Sequence, residues 1–210
     1  MTDETETRPR RGRPRAEDVA AIDRRILDAA TAVFLDQGYG RATMEQVAEV
    51  AKAGKTTLYS RYPTKADLFA SVVTQSGAIF ELANHAPTIT GSKRDRLITA
   101  GYELAEFTLT PQSIALMRAT FAERDAFPEI AREGFRLGFE DCARHIARAL
   151  AGTTDAPAVE AELPAAQRFV ELALHPLYMH AFFGADLADL RKRAPVCVAE
   201  VVEFLLPAHS

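Results

Sequence analysis

The 210-residue sequence has no tryptophan, only two cysteines, and no stretch of about 18 consecutive apolar residues. The last of these absences leaves no candidate for a hydrophobic membrane-spanning helix. The N-terminus offers acids and then arginines where a secretory leader would place an apolar run, so a cytoplasmic location without a membrane partner is expected. Cys142 and Cys197 lie far apart, with no CxxC spacing and no adjoining cluster of histidine and acid. They are expected to be partly buried thiols rather than metal ligands. His175 and His180 are five apart around Pro176, a poor spacing for two ligands on one helical face, so no metal and no other cofactor is expected. His145, His175, His180 and the scattered acids could house acid–base chemistry, but no nucleophile motif accompanies them, and an enzyme is not expected.

What is present is ordinary in bulk and uneven in place. Hydrophobic residues make up 48% and charged residues 26%, which suits a globular chain with a sizeable core. A net charge of −4 would by itself argue against a polyanionic partner. Between positions 8 and 15, however, stand Arg8, Arg10, Arg11, Arg13 and Arg15 with no acid. Between 41 and 65, Arg41, Lys52, Lys55, Arg61 and Lys65 face only Glu45 and Glu49. The excess acid therefore lies further along the chain.

Apolar residues at Ile22, Ile26, Ala29, Ala30, Val33 and Phe34 have the one-face spacing of an amphipathic helix, with Gly38 as its stop. Thr43-Met44-Glu45-Gln46 is a capping box that starts a short second helix. Gly54 then provides a turn, a third short helix spans about residues 55–61 with Leu58 and Tyr62 inward, and Pro63 ends it. Thr64, with Asp67 three residues on, caps a longer helix toward about residue 82. No run from 15 to 82 alternates with period two for long enough to suggest a strand. Later helices are expected at about 92–108, 111–123, 128–151, 164–183 and 187–206, with residues 152–162 as a loop. Pro111, Pro128 and Pro164 read as first-turn prolines, whereas Pro176 and Pro195 fall inside periodic stretches that they should kink or interrupt.

Two short helices joined by a tight turn, with a longer helix on either side, form a helix-turn-helix whose second short helix is sized for a DNA major groove. Thr43 to Ala48, followed by Gly54-Lys55-Thr56-Thr57-Leu58-Tyr59-Ser60-Arg61-Tyr62-Pro63-Thr64-Lys65-Ala66-Asp67-Leu68-Phe69, resembles the DNA-binding signature of the TetR family of regulators almost throughout. The resemblance covers about residues 22–73. It departs at the turn, where many members carry glycine at the position of Lys52 and this chain carries it at Gly54, so a slightly altered turn is expected. The resemblance implies that Thr43 touches phosphate from a helix N-terminus, and that Gly54, Lys55, Thr56 and Thr57 start the recognition helix over the base edges. It further implies that Tyr59, Ser60 and Arg61 approach the backbone and flanking bases, and that Lys65 clamps a phosphate. Gly54-Lys55-Thr56 would also close a phosphate-loop pattern, but the glycine required five positions earlier is Glu49, in an expected helix. Arg11-Gly12-Arg13-Pro14 resembles an AT-hook core, with Arg11 and Arg13 in a narrow minor groove; a disordered arm giving only non-specific phosphate attraction is the equal alternative.

The expected fold is all-α with about nine helices: a basic arm over residues 1–18, a three-helix DNA-binding domain over 19–66, and a larger effector-binding and dimerisation bundle over 67–210. Ser113 to Arg118, Phe121 to Arg124 and Phe127 to Ile130 look similar to one subgroup of TetR-like C-terminal domains. By that resemblance a pocket for a small, largely apolar effector opens in this half, with Tyr102, Met117, Phe121, Phe139, His145 and Tyr178 as candidate liners; plain core is the competing reading for each. The last two helices would pair with their copies in a homodimer, using a stripe of Val198, Val201, Val202, Leu205 and Leu206, so that two recognition helices meet a palindrome in double-stranded DNA. The function implied is a ligand-responsive repressor. A sequence-tolerant DNA-organising protein without an effector uses the same helix-turn-helix and is the alternative.

Overall fold

The computed structural model describes residues 16–75 and 90–206, and within them the chain is helical with short connections. The first four helices are α1 (Ala16–Arg41), α2 (Met44–Val50), α3 (Lys55–Arg61) and α4 (Lys65–Gln75). After them come α5 (Lys93–Thr108), α6 (Pro111–Ala122), α7 (Pro128–Phe135), α8 (Asp141–Ala151), α9 (Ala156–Phe169), α10 (His175–Phe182) and α11 (Leu187–Leu205). A π-helical turn, Arg136–Glu140, joins α7 to α8, and a second, Val170–Leu174, joins α9 to α10. Each joined pair is one continuous rod, so the described residues form nine rods, as the all-α reading expects.

Local chemistry sets the boundaries. Thr43 Oγ1 accepts from the Gln46 amide at 3.2 Å while Gln46 Oε1 accepts from the Thr43 amide at 2.9 Å, so the capping box closes on both sides. Gly38 (φ 76°, ψ 158°) breaks the helical path of α1, and one further turn carries it to Arg41. At the next turn Lys52 itself takes the left-handed conformation, φ 49°, that glycine adopts without cost. The turn keeps a glycine-like shape, and the expected alteration is carried by a strained lysine rather than by Gly54, whose φ is an ordinary −66°.

Two apolar cores result. Ile26, Ala30 and Phe34 of α1 close over Val47, Leu58, Leu68, Phe69 and Val72, each at most 1% exposed. Burying a side chain of this size stabilises by about 1.5–3 kcal/mol, which is what holds helices as short as α2 and α3. The second core lies among α5, α8, α9 and α11, with Leu97, Leu104, Ile146, Phe169 and Val198 inaccessible to solvent. Leu116 of α6 and Ile130 of α7 belong to the first core although they come from the second half of the chain. The same junction stacks the Tyr39 and Phe127 rings edge-on at 4.6 Å and lets the Gly40 amide donate to Glu123 Oε1 at 3.1 Å. Burial, together with the Glu123, Glu129 and Asp67 charges, pushes the Tyr39 phenol pKa up.

Several expectations are corrected. The loop expected over residues 152–162 is only a short connection, because Asp155 caps α9 by accepting from the Ala158 amide and Pro157 supplies the first-turn proline. Pro164 is therefore well inside α9, on an exposed face where the carbonyl it deprives of a partner can meet water. Pro176 falls in the first turn of α10, directly after the Val170–Leu174 π turn, where the rod changes helical pitch without ending, and Pro195 sits within α11, which runs on to Leu205. The stripe expected to pair two copies is turned inward: Val198 and Val202 are inaccessible, and Val201, Leu205 and Leu206 pack on the same core. Helix α1 starts at Ala16, inside the span assigned to the arm, and the stretch expected to carry α4 on to residue 82 lies outside the described residues.

Candidate nucleic-acid interface and cavity

The α2–turn–α3 unit presents a polar surface whose side chains divide into two groups. Lys55, Thr56 and Tyr59 are exposed at the start and outer side of α3, with Gly54 just ahead of them and Thr57 half-buried. Lys55 Nζ lies 3.7 Å from Glu45 Oε1, and the Tyr59 hydroxyl donates to that same oxygen at 3.3 Å. The Glu45 carboxyl is held below its ordinary range by a bond from its own backbone amide and by the Lys55 charge. Ser60 Oγ donates to the Thr57 carbonyl at 2.9 Å, a bond within the helix. Exposed Thr43 stands at the N-terminus of α2, where amides and helix dipole together favour an anion.

Arg61 and Lys65 belong to the other group. Arg61 Nη1 pairs with Asp23 Oδ1 of α1 at 2.6 Å, with both side chains at least partly shielded. Lys65 Nζ donates to the carbonyls of Tyr39 (2.8 Å), Ala42 (3.0 Å) and Gly40 (3.4 Å) and sits 4.4 Å above the Tyr39 ring. An ammonium has three N–H donors, and all three point at the end of α1. In the single chain without DNA these contacts cap α1. Arg11 and Arg13 lie outside the described residues.

A cavity of about 330 Å³ opens among α4 to α8 and α10. Met117, Phe121, Phe139 and Tyr178 line it, joined by Phe135, Phe182, His175, Cys142, Thr108, Ser113 and Thr120. Burial grades along it: Thr108, Cys142 and Tyr178 are at most 4% exposed at one end, while Phe121, Phe135 and Met179 are half-exposed at the mouth. Burial pushes the Cys142 thiol up to about 12 and the Tyr178 phenol well above its ordinary value, and draws the His175 imidazole down, so all three are uncharged near neutrality. Tyr102 and His145 are elsewhere. Tyr102 faces outward from α5, and His145, 1% exposed, lies with Nε2 3.8 Å from Glu103 Oε2 in the second core. A shallower, water-open groove on α7, lined by Glu129, Arg132, Glu133, Arg136 and Glu140, is occupied by its own ion pairs.

Val73 and Leu116 are members of the first core and also part of the cavity wall. The core beneath the helix-turn-helix and the cavity therefore share side chains, which no sequence pattern announces.

The profile described as "Bacterial regulatory proteins, tetR family" matches residues 26–72, and "AefR-like transcriptional repressor, C-terminal domain" matches residues 95–209, more than half of the chain. The chain belongs to the TetR family. The first of the two profiles falls on the α1–α4 region, which carries the helix-turn-helix. The chain is 29% identical over 138 residues to the HTH-type transcriptional activator FasR of Mycolicibacterium smegmatis. That match takes in 65% of this chain and 54% of FasR, so the chain spans about half the length of that relative. Two solved structures share the fold: a TetR-family transcriptional regulator of Mesorhizobium loti (23% identical, TM-score 0.72, 88% of this chain and 96% of that one) and the Flavonoid-responsive Regulator FrrA (24% identical, TM-score 0.70, 90% and 97%). No helix among the described residues of this TetR-family protein is long and apolar enough to cross a membrane, and no group of three or more metal-binding side chains occurs among them.

Proposed function

We propose that the protein is a cytoplasmic, ligand-responsive repressor that reads a palindromic operator as a homodimer. Lys55, Thr56 and Thr57 address base edges, and Thr43, the Gly54 backbone, Tyr59 and Ser60 address phosphates and flanking positions. Arg61 holds α3 against α1. The observation that carries this reading is the shared wall: Val73 and Leu116 touch both the DNA-binding core and the cavity, so a molecule in the cavity acts directly on the packing that orients α3. Repression as the direction of control is supported by the AefR-like repressor profile. Pairing through the last two rods is supported by Phe183, Phe204, Val196 and Leu172, which are 86%, 72%, 57% and 40% exposed in the single chain. Apolar exposure of this kind marks an interface.

The test is a titration of the protein against its own upstream DNA and a scrambled control at two salt concentrations, with Lys55→Ala and Thr56→Ala alongside. Sequence-selective binding that both variants lose is the expected result. Equal binding of both DNAs, unchanged in the variants, would favour a DNA-organising protein and refute operator reading. Sedimentation at micromolar concentration checks the homodimer, and Phe204→Asp is expected to shift it to monomer.

A further inference from the structure

The cavity's shape and hydrogen-bond inventory narrow its ligand, on the reading that it is the effector site. A cavity of about 150 Å³ suffices for one benzene ring. The cavity here, at about 330 Å³, has room for slightly more than two such rings. Its lining is aromatic in two groups: Phe135, Phe139 and His175 in successive contact at 5.2 and 5.0 Å, and Phe121 against Phe182 at 5.6 Å. Among the described residues no carboxylate lines it. The one permanent cation among its described lining residues, Arg124, is at the exposed rim, 3.5 Å from Asp125 and donating to the Phe121 carbonyl. An anion drawn to the closed end would shed its water with no buried cation to replace it.

Proton counting at that end is more specific. Thr108 has one hydroxyl proton, and it goes to the Leu104 carbonyl at 2.6 Å. The 2.8 Å contact between Thr108 Oγ1 and the Tyr178 hydroxyl must then be Tyr178 donating to Thr108. The Tyr178 oxygen, its proton spent, keeps only acceptor capacity. We infer that the cavity takes an uncharged aromatic molecule of about two fused rings whose O–H or N–H donates to the Tyr178 oxygen at the closed end. An ether or ketone of the same size finds no hydroxyl proton at that oxygen, the donors left nearby being the weak Cys142 S–H and the single N–H of the neutral His175 imidazole, and a carboxylate finds repulsion from an oxygen lone pair.

Three probes of equal ring size separate these features at pH 7: 2-naphthol, 2-methoxynaphthalene and 2-naphthoate. The chain has no tryptophan, so 2-naphthol is followed by its own fluorescence and the other two by competition. The expected result is one 2-naphthol per chain, bound at least tenfold more tightly than either competitor. Tyr178→Phe is expected to reduce the preference over 2-methoxynaphthalene to less than about threefold. Phe121→Ala, at the exposed mouth, leaves the anchor in place and weakens all three to similar extents with the preference kept. Equal binding of 2-methoxynaphthalene, tighter binding of 2-naphthoate, or no binding of any probe would each overturn the inference. DNA is absent from this titration, so the preference stands or falls separately from whether occupancy releases operator DNA, which a second titration with DNA decides for the effector reading.

Discussion

Lys65→Met separates two roles for a lysine that the family pattern assigns to phosphate and the structure assigns to α1. Methionine keeps the length and apolar stem while removing the ammonium. The two shorter bonds, at 2.8 and 3.0 Å, are charge-assisted but partly open to water, so each contributes about 1 kcal/mol. The contact over the Tyr39 ring adds about 0.5–1 kcal/mol. A loss of roughly 2–3 kcal/mol follows, and a chain of this length loses about 2–4 °C in melting temperature per kcal/mol, so thermal unfolding is expected about 4–12 °C lower. The DNA assay supplies the opposite sign for the rival role. Each lysine that neutralises a phosphate contributes about 0.9 to the slope of log affinity against log salt, or about 1.8 for both subunits of a dimer. With Lys65 capping α1, the Lys65→Met slope equals the parent's. An unchanged melting temperature together with a slope reduced by about two would refute the capping role and restore the phosphate clamp.

Three other perturbations test the same physical reading. Lys52→Gly relieves a left-handed backbone costing about 1–2 kcal/mol, offset by about 0.5–1 kcal/mol of chain entropy; denaturant titration is expected to show a gain of about 0.5–1 kcal/mol, and a loss would mean the lysine side chain is needed there. Gly134→Ala places a methyl into the Thr120 side chain where α7 crosses α6, and calorimetry is expected to find it about 1–3 kcal/mol less stable, with equal stability contradicting the close approach. For Cys142 the unfolded chain releases the thiol proton near its ordinary value of 9 and the folded chain only near 12, so the folded state holds more protons across that window and stability falls as pH rises through it. Urea midpoints at pH 8, 9.5 and 10.5 are expected to decline in that order, more steeply than those of Cys142→Ala; parallel profiles would place the thiol in contact with water.

The DNA-binding half was legible because its signals are local. Gly54 and Pro63 bracket α3 at Lys55 and Arg61, and the Thr43–Gln46 exchange needs only four residues. What escaped the sequence is where a polar side chain turns once several partners compete for it: Lys65 and Arg61 have the pattern of phosphate contacts but lie over α1, thanks to carbonyls and an aspartate more than twenty residues away. In the bundle, Pro164 reads as a helix start and residues 152–162 as a loop, but the Asp155 cap starts the helix before Pro157. Among the cavity candidates, Tyr102 is six positions before Thr108, about 240° around a helix, which turns it away from the wall that Thr108 helps build. His145 is three positions after Cys142 and so close to its face, but one turn further along α8, where the cavity has ended and the second core with Glu103 begins. Periodicity gives the face of a rod and says nothing of where along that face a cavity stops.

The shared wall also decides how a ligand in the cavity would reach DNA under the proposed mechanism. A molecule that pushes α6 and α7 apart cannot be absorbed at their outer edge, because Arg118 of α6 donates to the Ala181 and Phe182 carbonyls and ties α6 to the end of α10. On the other side the displaced surfaces are Leu116, Val73 and the Tyr39–Phe127 stack, all close-packed, and close-packed side chains transmit a shift instead of yielding to it. The path then runs through α4 and the end of α1 to Leu58, the side chain by which α3 is seated. Nothing in this path requires the ligand to unfold the DNA-binding unit. A preference of about 1–3 kcal/mol for one seating of α3 over another lowers operator affinity about five- to 150-fold, and the operator must disfavour the ligand by the same factor.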